Sequence, residues 1–183
     1  MRRLFLLLTV ALLSLAAVSA QVTTAFAEKP ALLTSIGQSA DLEMVRVLLN
    51  RAKVTFTADQ LAKASDLNAG TKTLILVVGG SSKGLGAAGI SADAELTRAK
   101  ALIKRARELG MKLIAVHVGG EARRGTLSDI FIELCVPASD YAIVVADADT
   151  DGIFTRLAAG AKIALTKVEK ITAVGAPLAA VFK

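Results

Sequence analysis

Three loops concentrate the residues able to do chemistry. The first, Gly79-Gly80-Ser81-Ser82-Lys83-Gly84-Leu85-Gly86-Ala87-Ala88-Gly89, follows an apolar run and sets two serines and a lysine among glycines. Gly84-x-Gly86-x-x-Gly89 has the spacing by which bare backbone approaches a dinucleotide pyrophosphate, and Gly80-x-x-x-Gly84-x-Gly86 is a variant of it. Asp93 and Glu95 open the next helix where that pyrophosphate would sit, and no Tyr-x-x-x-Lys pair exists to supply the acid–base group of such a dehydrogenase. A nucleoside-triphosphate loop requires Gly-Lys-Ser/Thr, but Leu85 follows Gly84. Gly80-x-Ser82-x-Gly84 also fits a nucleophile elbow, which would make Ser82 the nucleophile of a hydrolase. The only histidine, His117, precedes the candidate acids Asp147 and Asp149. The order Ser, His, Asp differs from the Ser, Asp, His of α/β-hydrolases. No helix is expected directly after the loop to hold the serine on a tight turn.

The second loop is Gly119-Gly120-Glu121-Ala122-Arg123-Arg124-Gly125. A guanidinium beside free backbone N–H groups suits a carboxylate or phosphate, because it offers a planar pair of donors. The third, Asp147-x-Asp149-x-Asp151-Gly152, has the alternating carboxylates and glycine that open a calcium loop, but position twelve is Ala158 in place of the bidentate glutamate. Ca²⁺ is therefore a candidate ligand of Asp147, Asp149 and Asp151, against the simpler reading that these acids cap the following helix.

These loops must be carried by alternating strands and helices. Apolar runs at 31–36, 54–56, 73–78, 112–118, 141–145 and 165–168 read as short strands buried on both faces. Between them, residues 39–51, 93–109 and 126–136 repeat apolar side chains with helical spacing. Thr126 with Asp129, and Thr57 with Gln60, suggest capping boxes; Gly110 suggests a helix stop. On the 93–109 helix, Arg98, Lys100, Lys104, Arg105 and Arg107 read as a solvated face. The pattern predicts a single three-layer α/β domain with a mostly parallel sheet of five to six strands. Right-handed crossovers with helices on both faces give the expected order 2-1-3-4-5-6. Its crevice then lies where Gly37-Gln38-Ser39 meets the first glycine-rich loop.

The amino-terminal residues belong to a different class. Arg2 and Arg3 precede an apolar run from Leu4 that fades into small residues, the signature of an export signal. Small-x-small cleavage sites stand at Val18-Ser19-Ala20 and Ala25-Phe26-Ala27; the second leaves a polar start at Glu28 and is preferred, giving a signal over 1–27 and a domain over 28–183. The run falls short of the roughly 20 residues of a spanning helix. A periplasmic or extracellular product free of the membrane is expected. Of the 22 Lys and Arg, two are in the signal, leaving a mild +4 against 16 Asp and Glu. Trp is absent and Tyr is single, so no stacking platform for nucleic acid can be assembled. Cys135 is alone, which excludes an intramolecular disulfide, and its helical spacing points to burial.

The stretches PALLTSIGQSAD (30–41), KTLILVVGGSSKGLGAAGI (72–90), HVGGEARRG (117–125) and VEKIT (168–172) together resemble an uncharacterised family of exported bacterial α/β proteins catalogued as a domain of unknown function. The resemblance spans the mature chain. It implies export and a Rossmann-like or flavodoxin-like fold, and brings no activity or catalytic residues. The leading expectation for function is a non-catalytic small-anion-binding domain using Gln38, Ser39, Gly80, Ser81, Ser82, Lys83, Arg123 and Arg124. The alternatives are an exported hydrolase built on Ser82 and an envelope protein-interaction module.

Overall fold

A computed structural model describes residues 24–183. Most of the expected export signal, including Val18-Ser19-Ala20, lies outside the described residues. Six strands, β1 (Ala31–Ile36), β2 (Phe56–Ala58), β3 (Thr73–Val78), β4 (Lys112–His117), β5 (Tyr141–Val145) and β6 (Ala164–Val168), form one sheet in the order β2-β1-β3-β4-β5-β6. Every pairing is parallel. The fold is thus the three-layer α/β architecture that the alternation of apolar runs and amphipathic segments predicts.

The helices are α1 (Asp41–Arg51), α2 (Ser82–Ala87), α3 (Ala92–Glu108), α4 (Thr126–Cys135), α5 (Ile153–Ala161) and α6 (Gly175–Ala180). Alternate side chains of each strand point to opposite faces, so every central strand feeds two cores. Leu74, Leu76 and Val78 of β3 join Leu102 and Ala106 of α3 and Phe131 and Ile132 of α4. Ile75 and Val77 join Val45 and Leu49 of α1 and Leu178 of α6. Helices α3, α4 and α5 therefore cover one face, and α1 with α6 the other. Among the described residues no helix is long and apolar enough to cross a membrane.

Four local expectations are corrected. The second strand lies at Phe56–Ala58, two residues beyond the apolar Val54, whose amide instead closes the end of α1 on Leu49 O at 3.1 Å. Thr57 thus sits in a strand, and the turn after it is held by Asp59, whose Oδ1 accepts from Leu61 N at 2.9 Å. Helix α4 starts from Gly125, at φ 122°, without a side-chain cap from Thr126. Finally, the glycine-rich loop does turn directly into a helix: Ser81 caps α2, its Oγ accepting from Gly84 N at 3.0 Å.

Candidate functional site

The topological switch point lies between the carboxyl ends of β1 and β3, where chain directions diverge. Gly37 leaves β1 at φ 94°, and a Cβ there would stand 2.5 Å from Gly79 O. Gln38 follows at φ 59°, a left-handed conformation costing a non-glycine residue roughly 1–2 kcal/mol. Its side chain helps hold the turn, with Nε2 donating to Glu95 Oε1 at 2.9 Å and to Gln60 O at 3.3 Å. Gly37 N also donates to Glu95 Oε1, at 2.8 Å.

Glu95 is the hub beneath this turn. Its side chain is fully buried and paired with Arg98, which donates through Nε to Oε2 and through its terminal nitrogen to Oε1, both at 2.7 Å. Arg98 further donates to Ser35 O and, at 2.7 Å, to Ala62 O. Burial alone would raise the Glu95 carboxyl, but the hydrogen bonds from Arg98, Gly37 N and Gln38 outweigh it and hold the group below its ordinary range. Neither Glu95 nor Arg98 reads as structural in the sequence, yet they fix the crevice floor.

The glycine-rich loop is tightly packed. Gly79 N donates to Ile36 O at 2.9 Å, Gly80 N to Ser128 Oγ at 2.9 Å and Ser81 N to Gly37 O at 2.8 Å, so these amides are consumed internally. A Cβ on Gly84 would stand 1.8 Å from Gln38 O. Gly84 lets α2 close over the β1 turn, and Gly79, Gly80 and Gly84 do not leave the backbone uncovered, whereas Gly86 and Gly89 have open space around them. Gln38 and Ser39, expected to face a ligand, are 1% and 0% exposed. Ser82 and Lys83, on the first turn of α2, face solvent.

The histidine is likewise committed. His117 is buried, with Nδ1 2.8 Å from Val78 O and Nε2 3.3 Å from Gly120 O, and its ring packs at 5.2 Å from that of Phe154. Burial depresses its pKa more than the two carbonyls raise it, so the ring is neutral at pH 7. With both nitrogens facing main-chain oxygens, His117 has no nitrogen turned toward Ser82. Cys135 is buried and its thiol is pushed far above its ordinary range by desolvation.

The two arginines of the second loop diverge. Arg124 donates to Asp129 at 2.8 and 3.2 Å, to Asp151 at 2.9 and 3.1 Å and to Ala148 O, and lies 5.8 Å above the Phe154 ring. Those two carboxylates hold it firmly protonated and fully engaged. Arg123 lays its stem across the chain just beyond the ends of β3 and β4: a Cβ on Gly119 would fall 2.2 Å from Arg123 Cβ, and one on Gly79 would fall 3.0 Å from its Cγ. Its Nε stands 3.6 Å from Asp41 Oδ2, and both atoms are buried without a hydrogen bond among the described residues. The Arg123 side chain is 35% exposed. Asp41, at the start of α1, is a site residue missed in the sequence; its position directly after Gly37-Gln38-Ser39-Ala40 is the signal that could have found it.

The three aspartates of the third loop are separated by their partners. Asp149 caps α5, accepting from Phe154 N at 2.7 Å and Thr155 N at 3.3 Å, and pairs with Lys167 at 2.6 Å. Asp151 pairs with Arg124, and Asp147 lies beside Gly120, where a Cβ would stand 2.7 Å from its Oδ1. Among the described residues no three His, Cys, Asp or Glu side chains converge as a metal site. The groove beside the switch point, about 320 Å³ in volume, is lined by Asp59, Gln60, Leu61, Gly84, Ala87 and Ala88 and contains no basic residue.

Comparison with curated proteins and with solved structures gives no match. A family model does match, over residues 28–182, which is nearly the whole of the described chain. The chain therefore belongs to the family described as Domain of unknown function (DUF6305).

Proposed function

We propose that this protein is an exported, non-catalytic domain that binds a small anion, a carboxylate or a single phosphate, with Arg123, whose stem covers Gly79 and Gly119, as the principal contact. The observation that carries this reading is the incomplete pairing of Arg123. Buried polar groups in native proteins nearly always find partners, and those that do not call for an explanation. Here a partly exposed guanidinium stands at the switch point, 3.6 Å from its carboxylate, while its sequence neighbour Arg124 is saturated. Asp41 restrains the Nε edge of Arg123 and lowers the net charge, which favours a small anion over a polyphosphate. Lys83, exposed on the adjoining helix, adds a second positive charge.

A binding role is favoured over the hydrolase alternative because both His117 nitrogens face carbonyls and Cys135 is inaccessible. The basic face of α3 is internally compensated, Lys104 and Arg105 by Glu108 and Arg107 by Asp140, which speaks against nucleic acid as a partner. The interaction-module reading draws on Met44 and Val47, 46% and 44% exposed one turn apart on α1, an area well below that of a typical protein interface.

A thermal-shift series with acetate, succinate and inorganic phosphate tests the proposal. A ligand at about 100 times its Kd adds about 2.7 kcal/mol, which raises melting by about 5–10 °C in a domain of this size. The Lys83→Ala, Arg123→Ala double variant should lose that rise while melting unliganded close to the parent. An undiminished rise would place the site elsewhere, and no rise with any of these anions would remove the anion reading.

A further inference from the structure

Phe26 and Ala27 are packed parts of the fold. Both amides donate to Val181 O, at 2.9 and 2.8 Å, and Ala27 O accepts from Lys183 N at 3.0 Å. Ala27 forms a parallel bridge with Phe182, and Ala27 and Val181 are both 0% exposed. The Phe26 ring stands edge-on to Tyr141 at 6.2 Å and 80°. Glu28 continues the attachment, exchanging hydrogen bonds with the Thr73 hydroxyl at 2.8 and 3.2 Å. Together these contacts complete the core between the sheet, α1 and α6.

We infer that the export signal is cut at Val18-Ser19-Ala20 and that Phe26 and Ala27 are retained in the mature protein. The inference rests on the export reading proposed above and reverses the preference for Ala25-Phe26-Ala27 drawn from residue types alone. Both sequences offer a peptidase small side chains, so the cleavage motif does not choose between them. The fold does. A cut after Ala27 strips two donors from Val181 O, leaves Lys183 N without its acceptor and removes the ring that packs against Tyr141. A cut after Ala20 preserves all of these.

The full chain should be exported from a bacterial host and its intact mass measured. A start at Gln21, as glutamine or its cyclised form, is expected; a start at Glu28 overturns the inference. Ala25→Tyr removes the small residue of the second motif at an exposed position, and it should leave the cleavage point unchanged. Val18→Tyr should stop or displace cleavage. The reverse sensitivities overturn the inference, and a chain left uncut in the membrane overturns it together with the export reading, an outcome the mass distinguishes from a start at Glu28. Phe26→Ala in the exported protein should lower melting by about 4 °C or more. Melting unchanged within about 1 °C would show that the clasp is dispensable and remove the structural reason for its retention.

Discussion

Replacing Arg98 with alanine leaves the Glu95 carboxylate at 0% exposure with only Gly37 N and the Gln38 amide as donors. Breaking a buried ion pair from one side costs about 3–5 kcal/mol, because the remaining charge is desolvated without its counter-charge. At about 2–4 °C per kcal/mol for a domain of this size, Arg98→Ala should melt about 6–20 °C below the parent at pH 7. The pH dependence separates this cause from lost packing. In the parent, Glu95 is held below its ordinary 4.5, so its contribution is complete above that value and disappears as pH falls through the depressed folded pKa. In Arg98→Ala, both lowering influences of Arg98 are lost and only the bonds from Gly37 N and Gln38 still oppose burial, so the carboxyl shifts upward from its position in the parent. Protonation then relieves the stranded charge, and the melting deficit should narrow as pH falls from 7 toward 4. Melting followed by circular dichroism across that range provides the assay. A deficit below about 2 °C at pH 7, or one that stays constant down to pH 4, would refute the assignment of Glu95 and Arg98 as a buried pair.

Gly84→Ala should destabilise by about 1–3 kcal/mol or more, since its Cβ meets Gln38 O at 1.8 Å, whereas Gly86→Ala, with open space around it, should stabilise by about 0.5–1 kcal/mol; urea melts of both variants decide. Asp149→Ala should cost about 1–2 kcal/mol as α5 loses its cap, and Asp149→Asn should recover part of it in the same melts. Burial is the largest single influence on Asp149 and raises its pKa, but Lys167, the Thr155 hydroxyl and the amides of Thr155 and Phe154 together hold it below 3.8, so this contribution fades only as pH falls below that value. Cys135 should resist a thiol reagent in the folded protein and react fully in urea. Because Asp149 and Asp151 are committed to Lys167 and Arg124, millimolar Ca²⁺ or a chelator should shift melting by less than about 2 °C; a larger rise with Ca²⁺ would restore the metal reading.

The sheet was legible because strands buried on both faces are predominantly apolar: Ala31–Ile36, Thr73–Val78 and Tyr141–Val145 stand where the sequence predicts them. The strand order follows from crossover handedness together with helices on both faces. β2 was misplaced because a three-residue edge strand with exposed Thr57 and Ala58 has no burial pattern to read. Helix α2 escaped notice because its glycines lower helix propensity, although Ser81 offered a cap. On α3 the buried stripe is Glu95, Ala99, Leu102 and Ala106, a helical spacing hidden by its charged first member, and Arg98 turns inward with it. The glycine-rich loop carries the deepest ambiguity. The same residue type serves an exposed backbone and a crowded one, and only the position of Gln38 O against Gly84 separates them.

The meeting of Ala27 with Phe182 and Lys183 also bears on how the polypeptide can be cut and rejoined. Because Lys183 N donates to Ala27 O at 3.0 Å, a short glycine-rich linker from Lys183 to Ala27 need not reach across the domain, and the chain can be opened instead at the exposed Asn68-Ala69-Gly70 turn. A circular permutant of this design would keep all six strands and turn the clasp into an ordinary internal connection.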